Sequence, residues 1–284
     1  MTLLLKSRIG RGLRRAAREA EWLKQRLFVR GNPRKVNIGS GDRDWSGWLL
    51  LDEVRFPKTR KFRSTPDCAV PLSDVSADLV YSSHHLEHLD DNSVNRILAE
   101  THRVLGRSGY FVVKIPNFSL FKENYIAGNH ELLEFCGVHD VVYTWKEFGM
   151  QDSFAAQTAM MFCGYWNTHY GNHFSGQVSR VKGAYHGPPM LQESKLDLAL
   201  RTLSIRELSR YFNREALSDP KFKQFNHQNA WDTSGFVQLV EEMGFECLTT
   251  SLEEIEDTAL DIPDLLMMRE ISAFYMFKKR ELSI

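Results

Sequence analysis

A chain of 284 residues that is 43% hydrophobic can bury a large α/β core with an elaboration, which excludes a disordered or fibrous protein. No apolar run approaches the roughly 20 residues that span a bilayer, and no compact signal segment is present. The formal net charge is zero but unevenly placed, with 11 Lys and Arg against Glu19 and Glu21 in residues 1–35, and four dispersed cysteines without a C-x-x-C pair fit a reducing cytoplasm.

In chain order, Leu3, Leu4, Leu5, Ile9, Leu13, Ala16, Ala20, Leu23 and Leu27 recur near helical spacing, with arginines between them. That pattern predicts a basic amphipathic helix over residues 1–32, which packs on the domain or touches an anionic membrane from the inner face. Nucleic acid ranks last as a partner, because no recognition motif accompanies the charge. Gly31-Asn32-Pro33 ends the arm. Lys35–Ile38 reads as a strand running into Gly39-Ser40-Gly41, and 47–52 as a second strand ending in Asp52. A third strand is indistinct. Residues 76–82 form the next strand, 92–105 a helix, and 109–115 a strand closed by Pro116. Residues 118–226 interrupt this rhythm with an insertion rich in aromatic residues and histidine, containing one helix from about 191 to 211. The α/β pattern resumes over 227–284, with a helix capped by Asp232 over 235–243, an extended run over 245–250 and a strand over 271–277.

Strands alternating with helices imply a doubly wound, mostly parallel sheet, whose ligands bind beyond the carboxyl ends of the strands. Gly39 and Gly41 allow a sharp turn and close backbone approach, and Asp52 at the neighbouring strand end can accept hydrogen bonds from ribose hydroxyls. The third glycine of a dinucleotide fingerprint is missing and the acid follows too soon, so a dinucleotide is poorly supported. Four segments, Val36–Gly41, Gly47–Asp52, Asp78–Leu89 and Glu100–Leu105 followed by Gly109, together resemble class I S-adenosylmethionine-dependent methyltransferases, most closely the bacterial subgroup linked with surface polysaccharide synthesis. The likeness covers residues 34–117 and resumes near Trp231. It implies a Rossmann-like fold with seven strands, the cofactor S-adenosylmethionine, and roles for particular residues. Gly39, Ser40 and Gly41 would lie under the methionine part, Asp52 would hold the ribose, Asp67 would face the adenine amino group beside the Cys68 backbone, and Ser82, Ser83 and His84 would border the methyl-transfer region.

His84-His85-Leu86-Glu87-His88 also satisfies the H-x-x-E-H letters of a metalloprotease group. The motif starts at a strand end instead of within a helix, so first-turn helix chemistry is the expected role of Glu87 and His88. His84 is the first candidate proton acceptor, because the strand end puts it at the pocket mouth, and His139, followed by Asp140, is the second. Asn117, after the fifth strand, would contact substrate or make a turn. Tyr165, Trp166 and His169 lie in the densest mixture of rings and hydrogen-bonding groups and are the expected substrate contacts. Spacing encodes no metal site among the histidines, and none is expected.

The expected activity is therefore O-methylation of a sugar of a surface glycan or its precursor. Methylation of a soluble small molecule at N or O, or an inactive scaffold of the same fold, are the alternatives.

Overall fold

The computed structural model describes residues 34–132, 154–163, 193–216, 227–258 and 260–280. The basic arm therefore lies outside the described residues. Among those described, no helix is long and apolar enough to cross a membrane.

Seven strands form one sheet: β1 (Lys35–Ile38), β2 (Trp48–Asp52), β3 (Arg60–Lys61), β4 (Ala77–Ser83), β5 (Leu105–Pro116), β6 (Phe245–Thr249) and β7 (Ser272–Lys279). Their order is β3-β2-β1-β4-β5-β7-β6. The pairs from β3 to β5 are parallel, and β7 runs antiparallel to both β5 and β6. This is the Rossmann-like sheet expected, with the third strand reduced to two residues. The order reverses at β1 and β4, so a crevice opens beyond their carboxyl ends. Val36, Ile38, Leu50, Leu51, Val80, Phe111 and Val113 are at most 2% exposed. Burying each such side chain contributes about 1.5–3 kcal/mol, which fixes the register that presents the strand ends.

Helix α1 (Asp91–Val104) starts at Asp90, whose side chain accepts from Ser93 N–H. Its inner face, Val94, Ile97, Leu98 and Thr101, is buried, the i, i+3, i+4, i+7 pattern of an amphipathic helix. Its other service is polar. Arg96 Nε donates to Cys68 O at 2.6 Å, while Arg103 donates to Val70 O at 2.8 Å and Leu72 O at 2.9 Å. Glu100, 3% exposed, accepts from Val70 N–H at 2.8 Å and pairs with both arginines. One helix thereby holds the otherwise irregular chain from Cys68 to Leu72 in place.

The insertion contributes α2 (Phe118–Ala127), α3 (Phe154–Cys163), α4 (Glu193–Thr202) and α5 (Ile205–Ala216). They share a second core of Phe118, Phe121, Ala159, Phe162, Leu200, Leu208 and Phe212, which also takes in Ala230 and Ile271 from the flanking chain. Phe162 is fully buried there, so its ring serves packing and not a ligand. The single helix expected from 191 to 211 is instead two. Ser204 breaks it: its backbone N–H and hydroxyl donate to Glu207 at 2.8 and 2.7 Å, and its Oγ accepts from Glu207 N–H at 3.3 Å. That reciprocal pair is a capping box, which starts a new helix. Helix α6 (Thr233–Glu242), capped by Asp232 accepting from Gly235 N–H, and α7 (Leu252–Glu256) complete the fold.

Candidate active site

The chain leaves β1 through Gly39, Ser40 and Gly41, where both glycines adopt positive φ, +78° and +58°. Gly39 N–H and Ser40 N–H donate to Leu51 O at 2.8 and 3.0 Å, which folds the loop over the end of β2. Asp52 closes it from the other side, since Oδ2 accepts from Gly41 N–H at 2.8 Å and Oδ1 from Val54 N–H at 2.8 Å. Each carboxylate oxygen keeps a further lone pair. Thr59 Oγ1 donates to Gly41 O at 3.0 Å, so the segment after β2 also borders the loop.

The two glycines differ in what surrounds them. A Cβ on Gly39 would stand 2.2 Å from His85 Cγ, whereas one on Gly41 would meet nothing within 4 Å. His85 is thus packed against the loop, and Gly41 faces open space. The His85 ring is linked to Ser64 through Nε2 at 2.9 Å, bringing the Thr65–Cys68 turn to the same rim. Burial pushes the His85 imidazole down to about 4, with His88 adding to the effect. Asp67 is exposed and accepts from Thr65 Oγ1 at 2.8 Å. The Cys68 backbone donates to Thr65 O at 2.9 Å and accepts from Arg96, while its side chain is buried in the main core.

At the end of β4, Ser82 Oγ donates to Ile38 O at 3.0 Å and ties the two central strands together, so its hydroxyl is turned into the sheet. Ser83 is half-buried at the tip. His84 follows with φ +47°, a left-handed conformation that costs a residue with a Cβ about 1–2 kcal/mol and is held by His84 N–H donating to Lys114 O at 2.8 Å. The strained turn swings the imidazole between two partners. Nδ1 lies 3.5 Å from Glu87 Oε1, and Nε2 lies 2.9 Å from Ser272 Oγ. Ser272 reaches this point because β7 begins where antiparallel β5 ends, with Ser272 opposite Pro116. Its one hydrogen can serve His84 Nε2 or Met268 O, the latter 2.7 Å away, so a hydroxyl rotation decides which imidazole nitrogen carries the proton.

Glu87 departs from the first-turn role expected for it. It lies in a 3-10 turn, Leu86–His88, ahead of α1, and is completely buried. Burial alone would raise its carboxyl, but the facing imidazoles of His84, His88 and His227 outweigh that and hold it below the usual carboxylate range. His227 returns from the far side of the insertion and lies against His88, with ring centroids 4.7 Å apart. Sequence alone assigned Glu87 only first-turn helix chemistry and did not rank His227, because nothing local announces that residues so far apart in the chain will meet.

Asn117 serves the turn: it caps α2, Oδ1 accepting from Leu120 N–H at 3.1 Å. His139, Tyr165, Trp166 and His169 lie outside the described residues.

This loop suits a nucleoside sulfonium in three respects. Gly41 faces open space, Asp52 has lone pairs to spare beside it, and the buried Ser40 Oγ has no hydrogen-bond partner. Residues 52–113 match the family model described as a methyltransferase domain, a span that runs from Asp52 through His84 and α1 into β5. No curated protein matches the sequence. Among solved structures, the chain is similar to an S-adenosylmethionine-dependent methyltransferase from Mesorhizobium loti, with 14% identity, coverage of 92% of this chain and 98% of that one, and a TM-score of 0.38. It is also similar to PKMT2 from Rickettsia typhi in complex with AdoHcy, with 10% identity, coverage of 89% and 50%, and a TM-score of 0.36. The likeness to a methyltransferase domain is thus carried by residues 52–113, within a seven-stranded sheet of order β3-β2-β1-β4-β5-β7-β6.

Proposed function

We propose that this domain methylates a hydroxyl group, on a sugar of a surface glycan or of its precursor, with His84 as the proton acceptor. The observation that carries the reading is the His84 imidazole at the tip of β4, with a buried carboxylate behind Nδ1 and a hydroxyl oxygen in front of Nε2. That is the arrangement needed to take a proton from an alcohol. The sugar follows from the resemblance of the Val36–Gly41 and Asp78–Leu89 segments to the polysaccharide-associated subgroup.

In this reading Gly39, Ser40 and Gly41 support the methionine part of the cofactor, Asp52 accepts from the ribose hydroxyls, and Asp67 takes the adenine amino group. Bound there, S-adenosylmethionine supplies an electrophilic methyl group. The acceptor hydroxyl replaces Ser272 as the partner of His84 Nε2, which orients it. His84 Nε2 would accept the hydroxyl proton as the acceptor oxygen takes up the methyl group. Glu87 stabilises the resulting imidazolium through Nδ1. The insertion and the basic arm would supply the acceptor's surroundings, with Tyr165, Trp166 and His169 the substrate contacts, His139 a second proton acceptor and the arm a contact with anionic membrane.

The test is turnover of S-adenosylmethionine against a panel of nucleotide sugars and glycan precursors, by wild type and His84→Gln. The expected result is methyl ether formation that falls about 100-fold or more in kcat in the variant, with cofactor affinity nearly unchanged. Methylation confined to amines, or an unchanged kcat, would contradict the reading.

A further inference from the structure

The methyl transfer uses Glu87 only through His84 and leaves its contacts with His88 and His227 unexplained. Both of its carboxylate oxygens are buried without a hydrogen bond, and no lysine or arginine among the described residues forms an ion pair with it. A carboxylate in that state needs a compensating positive charge. What surrounds it are imidazoles, with His84 Nδ1 at 3.5 Å and His88 Nε2 at 3.9 Å. His227 completes the group: one donor atom from each of Glu87, His88 and His227 lies within 4.8 Å of the others.

Two features show that this meeting is built. His227 Nδ1 lies 3.0 Å from Met161 O. A carbonyl can only accept, so Nδ1 carries the proton and Nε2 of the neutral ring presents a lone pair. A ring N–H donating to a backbone carbonyl is what orients many metal-binding histidines. The two chain segments are also clamped together. Gln228 N–H and Asn229 N–H donate to Glu87 O at 2.6 and 2.9 Å, while Gln228 Nε2 donates to His88 O and Asn229 Nδ2 to Leu89 O, both at 2.6 Å. Four hydrogen bonds therefore fix the end of the insertion against the turn that carries Glu87 and His88.

We propose that Glu87, His88 and His227 bind a divalent transition-metal ion, of the zinc or manganese kind, at the junction of the cofactor domain and the helical insertion. Two imidazoles and one carboxylate form a donor set that suits such ions and leaves a coordination position open. Ligand bonds of about 2.0–2.2 Å require the donors to close in from their present spacing by about 1 Å, which side-chain rotation supplies. The ion site lies beside His84, whose Nδ1 is 3.5 Å from Glu87 Oε1. Sequence spacing hides the site, because His227 belongs to the chain beyond the insertion.

The full chain, stripped by chelator and desalted, is reloaded separately with Zn2+, Mn2+ and Mg2+ and its metal content measured by mass spectrometry. S-adenosylmethionine affinity is measured by calorimetry on the same samples. The expected result is about one equivalent of Zn2+ or Mn2+ per chain, with affinity reduced at least about 100-fold in Glu87→Gln and His227→Gln. Retention of no ion by wild type, a preference for Mg2+, or equal binding by His227→Gln would overturn the proposal. Because Glu87→Gln alters a buried charge, a Co2+ absorption spectrum of wild type gives an independent check: visible d–d bands support the site, and their absence overturns it. A chain that binds the cofactor but no ion refutes this inference alone. One that binds the ion but methylates only amines refutes the preceding reading and leaves the ion site standing.

Discussion

At Gly39 the backbone has positive φ and the space where a Cβ would go is filled by His85. Gly39→Ala is therefore expected to destabilise the fold by at least about 2 kcal/mol, through the left-handed conformation and the clash together, as read by denaturant midpoint. Gly41→Ala meets no neighbour; its cost is about 1 kcal/mol of conformational strain, while its methyl group projects towards the cofactor space, so the loss should appear in S-adenosylmethionine affinity. Similar stability losses in the two variants would refute this division. His85 adds a pH dependence. Its folded pKa is lowered to about 4 by burial and by His88, so its contribution to stability is complete above the unfolded value of about 6.5 and is lost as pH falls from there towards 4. The slope is about 1.4 kcal/mol per pH unit. Midpoints measured at pH 7.5, 6 and 5 should fall less steeply for His85→Gln than for wild type; parallel curves would contradict it. Of these residues the glycines and Asp52 were legible in the sequence, because each stands at the end of a strand that can be read locally. His85, Glu87 and His227 were not, because their roles depend on what the fold brings opposite them. The H-x-x-E-H letters marked the right segment, but they carried no sign that a 3-10 turn, and not a helix, would point Glu87 inward.

At the scale of elements, the strands and helices of the cofactor half other than the two-residue β3 were legible to within a few residues, because each has an apolar pattern closed by a cap, a glycine or a proline. The split between α4 and α5 was equally written, in Ser204 and Glu207, but a capping box inside an apolar-periodic run is easily read through. The polar ties between elements were not legible. Lys114, near the carboxyl end of β5, is fully buried and donates to Asp264 O at 2.9 Å and Met267 O at 2.8 Å, with Leu265 O at 3.4 Å. A lysine set between Phe111-Val112-Val113 and Ile115 is a signal that something must receive its ammonium group. It pins the loop before β7 to the sheet, and thereby sets where Ser272 begins that strand. Lys114→Met leaves these carbonyls without their donor and should cost about 2–4 kcal/mol, measured by chemical denaturation; a stability within about 0.5 kcal/mol of wild type would show that the loop is held by other means.

For the whole molecule, the strand order reverses between the parallel strands β1 and β4, and everything with chemistry gathers at their carboxyl ends. The glycine loop and Asp52 lie on one side, the strained His84 with Glu87 and Ser272 on the other, and the clamp to Gln228 and Asn229 joins the helical insertion to that rim. The mostly parallel sheet was foreseeable from alternating elements, and the strand over 271–277 could be read locally, but not the antiparallel direction of β7 that delivers Ser272. The central claim, that the bend after β1 and the acid at the tip of β2 together hold an adenosyl sulfonium, is tested most directly by calorimetry of S-adenosylmethionine with the full chain and with Asp52→Asn, which keeps the side-chain shape and one acceptor for the loop. The account requires saturable one-to-one binding to the wild type and a loss of at least about tenfold in the variant, about 1.4 kcal/mol for the weakened ribose contacts. Equal affinity in the two proteins, or no binding to either, would contradict it.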